Sequence, residues 1–303
     1  MTMRVAPTIA AALAAGAPVV ALESTLVTHG LPPPMNAAAA LAAEAAVRAA
    51  GAVPATIGLL AGVPTVGLTP AEIHHLASAG SGILKASRRD LAWAAVRRLD
   101  AGTTVAATLA LAQAAGIRVF ATGGIGGVHR GAAKTFDISA DLWELSRTPM
   151  AVVCAGAKII LDLPKTLELL ESLGVPVVGF GCRELPGFYL RSTGLPLEQY
   201  VDTADEAAEL ALAHWHLGGS GLLFVQPPPR DLGWSLERAD VEITNLLAEA
   251  NQTGQMGKQL TPFLLRRLGE LTTGATLTIN EELLIANAAT AAALACSLAR
   301  GRS

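Results

Sequence analysis

Of the five lysines in this 303-residue chain, Lys158 stands in "VCAGAKIILDLPKTLE", directly after Ala-Gly-Ala at the end of an apolar run, with no acid before Asp162. Arginine supplies the rest of the 22 positive charges. A guanidinium cannot lose its proton in a protein, whereas an amine can. A lysine kept among small apolar residues is therefore a candidate for chemistry that needs a neutral amine. Lys85 in "GILKASRRDL" has a similar setting at the end of an apolar run. The two together suggest one lysine that binds an anion and one that reacts, although a structural role fits each of them equally well on spacing alone. Glu23 follows the apolar run of "ALESTLVTHG". A carboxylate at the tip of a buried strand can have a raised pKa and serve as a proton donor or acceptor. A purely structural strand-end glutamate, with Ser24 and Thr25 as turn residues, explains the same letters.

The densest polar region among glycines is "ATGGIGGVHRGAAKTFDISADL", Ala121 to Leu142, immediately after the run "IRVF". Its glycines at 123, 124, 126 and 127 would let backbone approach a ligand and aim N–H groups at an anion. The spacing is neither that of a Walker loop nor that of a dinucleotide fingerprint. Asp137 and Asp141 stand four apart, which predicts that they share one face of a helix starting there, where like charges repel. A divalent cation such as Mg²⁺ or Mn²⁺, or a hydroxyl-rich substrate, would relieve that repulsion. A helix cap plus a favourable helix dipole is the alternative. His129 and Arg130 face either a phosphate or solvent. "GTTVAATLALAQAAG" predicts a helix start whose exposed N–H groups and threonines, Thr103 and Thr104, suit either a phosphate or an ordinary cap.

The elements that must position these residues follow from the pattern of short β-branched runs: "PVVALE", "TIGLLAGVPTVGL", "GILKAS", "IRVFATGG", "MAVVCAG", "VPVVGFG" and "GLLFVQ". Each reads as a buried strand. Alanine- and leucine-rich segments of helical length lie between them, at 36–50, 103–115, 164–173, 204–217, 240–251 and 281–299. The alternation implies an α/β fold, layered α/β/α, with a central mixed or mostly parallel sheet and helices on both faces. In such folds ligands gather at the carboxyl ends of the strands. The proline-dense "VQPPPRDLGW" reads as a long surface loop within one domain spanning 1–303 rather than as a linker. "TPFLLRRLGELT" and the apolar segment after it are expected to pack back on the sheet.

Composition narrows the function. With 51% hydrophobic residues and a net charge of −3, the chain can bury a large core and has no basic footprint for nucleic acid or an anionic membrane. Glycine, proline and charges interrupt each apolar run, so no membrane span is expected. Three scattered cysteines give neither a disulfide framework nor a zinc spacing. The start "MTMRVAPTIAAALAAGAPVVALEST" reads as a short helix turning into a buried strand rather than a signal peptide. A small-molecule partner and a reducing cytoplasm fit best.

Taken together, "ALESTLVTHGLP", "GAVPATIGLLAGVPTVGL", "KASRRDL", "GTTVAATL", "FATGGIGGVHRGAAKTFDISADLWEL", "VVCAGAKIILDL", "GVPVVGFG" and "TPFLLRRLGELT" resemble the pseudouridine-5'-phosphate glycosidase family, which includes the indigoidine-cluster A proteins. The resemblance runs from about residue 7 to about residue 298 with its blocks in order. It implies reversible cleavage of the C–C glycosidic bond of pseudouridine 5'-phosphate to uracil and ribose 5-phosphate, one Mn²⁺ per subunit with Mg²⁺ as a substitute, and a homotrimer. It places the Schiff-base lysine on Lys158, the proton donor on Glu23 and the metal ligand on Asp137. Substrate contacts fall on Lys85, Val105, Ser139, Ala140 and Asp141, and an assisting asparagine on Asn280. Thr104 and His129 are expected beside the substrate as well. The chemistry accounts for the lysine: a C–C bond has no heteroatom leaving group, so an electron sink is needed, and an amine condensed with C1' provides one. Two other functions fit the same residues, another Schiff-base sugar-phosphate lyase or a non-catalytic sugar-phosphate sensor, although a sensor has no use for an imine-forming lysine.

Overall fold

The computed structural model describes residues 2–79, 82–255 and 257–301. Among these, eleven strands follow in chain order: β1 (Arg4–Val5), β2 (Val19–Leu22), β3 (Val53–Leu60), β4 (Val63–Val66), β5 (Leu84–Ala86), β6 (Ala101–Thr103), β7 (Val119–Ala121), β8 (Ala151–Cys154), β9 (Val177–Phe180), β10 (Gln199–Val201) and β11 (Leu222–Val225). They are ordered β1-β4-β3-β2-β7-β8-β11-β9-β10, with β6 beside β3 and β5 beside β6. From β3 through β10 every neighbouring pair is parallel, and antiparallel pairing is confined to β3 with β4 and with β6. All residues of β2, β7, β8 and β11 are buried, which requires cover on both faces of the sheet.

The long strand β3 changes partner midway. Its first half, Val53–Thr56, pairs with β2, while Gly58 and Leu59 pair with β6. The change falls where β2 ends and Glu23 and Ser24 leave the sheet. Ser24 stitches the junction, because its buried hydroxyl donates to the Ile57 carbonyl at 2.6 Å and accepts from the Thr103 backbone N–H at 2.9 Å. The splayed strand ends leave a crevice at the carboxyl edge of the sheet, the expected place for a ligand.

Two apolar helices hold this edge. Helix Val105–Ala115 is buried continuously over residues 105–112. Helix Ala275–Arg300 buries a stripe that includes Thr276, Ile279, Asn280, Leu283, Leu284, Asn287, Ala288, Ala291 and Ala292, the spacing of one helical face. That stripe lies on β2, β7 and β8 and on helices Met35–Ala49 and Ala204–His216. The C-terminal segments thus pack back on the sheet as expected. Contrary to the sequence reading, Ala275–Arg300 is long and apolar enough by composition to span a membrane, but more than half of its most apolar window is spent on this core.

Three expectations change. "TIGLLAGVPTVGL" is not one strand but the hairpin β3–β4, because Ala61 and Gly62 turn the chain with φ of 48° and 80°. The helix after Gly102 is capped by Thr104, while Thr103 belongs to β6 and donates its hydroxyl to Ile57. Asp137 and Asp141 do not share a helical face, since the helix begins only at Ala140 after the cap Ser139.

Candidate active site

The crevice opens into a cavity of about 590 Å³. It brings together most of the residues singled out above: Glu23, Lys85, Thr104, Val105, His129, Asp137, Ser139, Ala140, Asp141, Lys158 and Asn280 all line it. Arg130 and Thr103 are not among the lining residues, and Arg130 pairs instead with Asp240 at 2.7 Å. The lining residues come from strands, from the loops that follow them and from three helices, so the fold rather than local sequence assembles them.

Lys158 lies four residues beyond the end of β8, in a loop whose Ala155 and Ala157 are buried. Its Nζ donates to the Gly124 carbonyl and stands 5.8 Å from the centroid of the Phe188 ring. Gly124 is required there, because a Cβ would come within 2.5 Å of that ring and 2.9 Å of the Gly156 carbonyl. Lys85, by contrast, is the middle residue of the short strand β5 rather than a residue at its tip. Cys154, at the end of β8, is no competing nucleophile: burial pushes its thiol up to about 12.

Glu23 accepts a hydrogen bond from the Thr122 hydroxyl. Enclosure pushes its carboxyl above the ordinary carboxylate range and outweighs the downward pull of Lys158, Thr122 and Lys85, while nearby Asp141 pushes it further up. A carboxyl so placed retains its proton nearer neutrality, as a general acid must. Asn280 is almost fully buried, and its Oδ1 has no hydrogen-bond partner. A buried carbonyl left open in a cavity is poised for a donor on a ligand. Two turns further along the same helix, Asn287 donates to the Thr122 carbonyl at 2.8 Å and accepts from Gln226 at 2.8 Å, holding the start of the glycine-rich loop.

The glycine-rich loop spends part of its donor capacity on the protein. Asp141 accepts from the Gly126 N–H at 2.8 Å with one carboxylate oxygen and from the Ala106 N–H, at the start of helix Val105–Ala115, at 2.9 Å with the other. A Cβ on Gly126 would meet Ser139 Oγ at 2.3 Å, so the loop and the Ser139 cap touch only because that residue is glycine. Asp141 therefore braces two elements of the wall. Asp141→Asn keeps the size but turns an amide against one of these N–H groups. Its expected cost is about 1–3 kcal/mol, the penalty of a spoiled buried hydrogen bond, readable as a lower denaturant midpoint at unchanged slope.

Asp137 is 38% exposed and lies 3.9 Å from His129 Nδ1. Desolvation holds His129 below the usual histidine range, helped by Lys85 and Lys158 and opposed by Asp137. Among the described residues no three His, Cys, Asp or Glu side chains converge to cage a metal. One open carboxylate at the cavity wall fits instead the mode in which a hard cation keeps most of its waters. The sequence reading passed over several lining residues, among them His29, Arg88, Arg147, Phe188 and the segment Thr261, Pro262 and Leu265. Arg88 was visible only inside the run "KASRRDL", and nothing local ties it to the others.

A mostly parallel α/β sheet whose carboxyl-end crevice holds a lysine and a carboxyl with a raised pKa narrows the class of protein. The family model described as indigoidine synthase A like protein matches residues 8–297, and the chain belongs to that family. Within it, the pseudouridine-5'-phosphate glycosidase of Myxococcus xanthus (strain DK1622) is 50% identical over 301 residues, covering 99% of both chains. The protein of the same name from Clostridium botulinum is 48% identical over 299 residues, covering 98% of this chain and 97% of its own. Among solved structures, the prealnumycin C-glycosynthase AlnA in complex with ribulose 5-phosphate superposes with a TM-score of 0.90 at 39% identity, covering 100% of this chain and 98% of that one. An indigoidine synthase A-like protein of Thermotoga maritima superposes at 0.89 with 31% identity, covering 99% and 97%.

Proposed function

We propose that this chain is a pseudouridine-5'-phosphate glycosidase, cleaving the C–C glycosidic bond reversibly to uracil and ribose 5-phosphate. The observation that carries the reading is that Lys158 and Glu23, whose pKa burial raises, share one cavity, since the reaction needs an amine at C1' and an acid at uracil C5. Relatives of that name near 50% identity along nearly the whole chain support it.

The sugar ring opens as the C1'–O4' bond breaks, O4' taking a proton, and the Lys158 amine forms a bond to C1' as it gives one up. Glu23 then delivers its proton to uracil C5. The ring's C5=C6 π pair makes the new C5–H bond; the C1'–C5 bond then breaks, its electron pair restoring the C5=C6 double bond, while the nitrogen lone pair forms the imine. Water hydrolyses the imine to release ribose 5-phosphate and restore Lys158. The Gly124 carbonyl and the Phe188 ring orient the amine, and Asn280 offers its free carbonyl to a donor of the base. Lys85, Thr104, Val105, His129, Ser139, Ala140 and Asp141 line the space left for the sugar phosphate.

Asp137 would hold Mn²⁺, or Mg²⁺ through the same oxygens, and the ion when bound supplies positive charge beside an anionic substrate. Asp137→Asn removes the full negative charge while keeping a neutral oxygen, so Mn²⁺ binding should weaken, and chelator should silence the wild type reversibly. Equal Mn²⁺ affinity of the two proteins in a calorimetric titration excludes Asp137 as the ligand. The enzyme acts in the cytoplasm as a homotrimer.

Incubation with pseudouridine 5'-phosphate and Mn²⁺ tests the function, with uracil and ribose 5-phosphate expected in equal amounts. The likeness to a C-glycosynthase favours one second reading, a lyase of the same imine chemistry acting on another aglycone. In that case ribose 5-phosphate would still modify the lysine but uracil would be neither released nor joined.

A further inference from the structure

We propose that Glu144 is a positioning residue that locks Arg88 and Arg147 into a paired guanidinium clamp for the phosphate of a sugar phosphate. The proposal rests on the sugar-phosphate reading above, but not on the identity of the aglycone. Glu144 lies one turn beyond Asp141 on the helix Ala140–Leu145, and its carboxylate is 1% exposed. It accepts from Arg88 Nη1 at 2.6 Å, from Arg147 Nε at 2.9 Å with a further contact from Arg147 Nη2, and from the Thr148 hydroxyl at 3.3 Å. The two guanidiniums are 48% and 57% exposed, and both line the cavity that holds Lys158 and Glu23.

One buried carboxylate needs one cation, and here it has two. The unit therefore turns a net positive charge toward the cavity. A guanidinium has five N–H donors in a planar fork matched to phosphate oxygens. Glu144 occupies Nη1 of Arg88 and Nε and Nη2 of Arg147, which leaves donors on both forks for an anion. Held by a buried partner, each fork has little freedom left to lose on binding. The unit also ties two walls of the site, because Arg88 follows Lys85 by three residues while Glu144 follows Asp141 by three.

The test measures ribose 5-phosphate binding by calorimetry, together with kcat and KM, on wild type, Glu144→Gln, Arg88→Lys and Arg147→Lys. Each change should weaken ribose 5-phosphate binding and raise KM by about tenfold or more, the loss expected for a charge-assisted hydrogen bond. The kcat should stay within about threefold, and turnover of unphosphorylated pseudouridine, compared as kcat/KM, should hardly change. Arg147→Lys, at an exposed position, keeps the question open to measurement if Glu144→Gln fails to fold. Unchanged ribose 5-phosphate affinity in Arg147→Lys, or equal losses with phosphorylated and unphosphorylated substrate, overturns the clamp. Wild-type protein that binds ribose 5-phosphate through these residues yet releases no uracil would instead overturn the glycosidase reading and leave the clamp standing.

Discussion

Lys158→Ala should reduce uracil release from pseudouridine 5'-phosphate to background while leaving ribose 5-phosphate binding measurable. The amine is the only group proposed to bond to C1', so its removal deletes the electron sink rather than slowing one step. The surrounding wall is built by other residues: the Ile125 N–H donates to the Gly156 carbonyl and the Phe188 N–H to the Ala155 carbonyl, and Asp141 is anchored from Gly126 and Ala106. The alanine variant should therefore fold and retain the cavity. Steady-state turnover and calorimetric binding, measured on the same preparation, check both halves, and substantial turnover by the variant would refute the role.

Glu23→Gln should lose about 10²- to 10⁴-fold in rate, the range for a deleted general acid, while imine formation with ribose 5-phosphate survives. Because burial raises the Glu23 pKa, wild-type kcat/KM should fall as pH rises through that raised value and the acid is lost. The same shift has a stability consequence of definite sign. A carboxyl whose folded pKa lies above its unfolded value contributes stability that is fully present below the unfolded value and is lost as pH rises through the folded one. Above it, an enclosed carboxylate weighs against folding, and glutamine does not titrate. The stability of Glu23→Gln relative to wild type should thus increase with pH across that window, because the wild type loses stability there and the variant does not. Denaturant titrations of both proteins at pH 5 and pH 8 measure this, and a difference that does not change with pH would show that Glu23 titrates normally.

The strands with long apolar runs were legible because β2, β7, β8 and β11 are buried on both faces and leave no polar alternation to interpret. Ala-Gly-Thr of β6 and Gln-Tyr-Val of β10 escaped because three residues carry no period. Ala61 gave no warning of a turn, since alanine seldom takes positive φ, and the hairpin was read as a single strand. The spacing of Asp137 and Asp141 suggested one helical face, but Ser139 caps the helix two residues later than that reading requires. Glu23, Lys158, Thr104, Val105 and Ser139 to Asp141 were found because they follow strand ends or open helices, whereas Lys85 in mid-strand, Asn280 on a helix face and His129 and Asp137 in a loop were found through the blocks they belong to. Arg88 and Glu144 meet across 56 positions, and Asn287 reaches Thr122 across 165, distances at which only the fold decides contact.

Borohydride reduction during turnover of pseudouridine 5'-phosphate, followed by peptide mass mapping, tests the central claim most directly. The account predicts one stable ribose-phosphate adduct per chain on the peptide containing Lys158, formed alongside uracil and absent from Lys158→Ala. An adduct on Lys85, or uracil released at the full rate with no adduct trapped on any lysine, would contradict it.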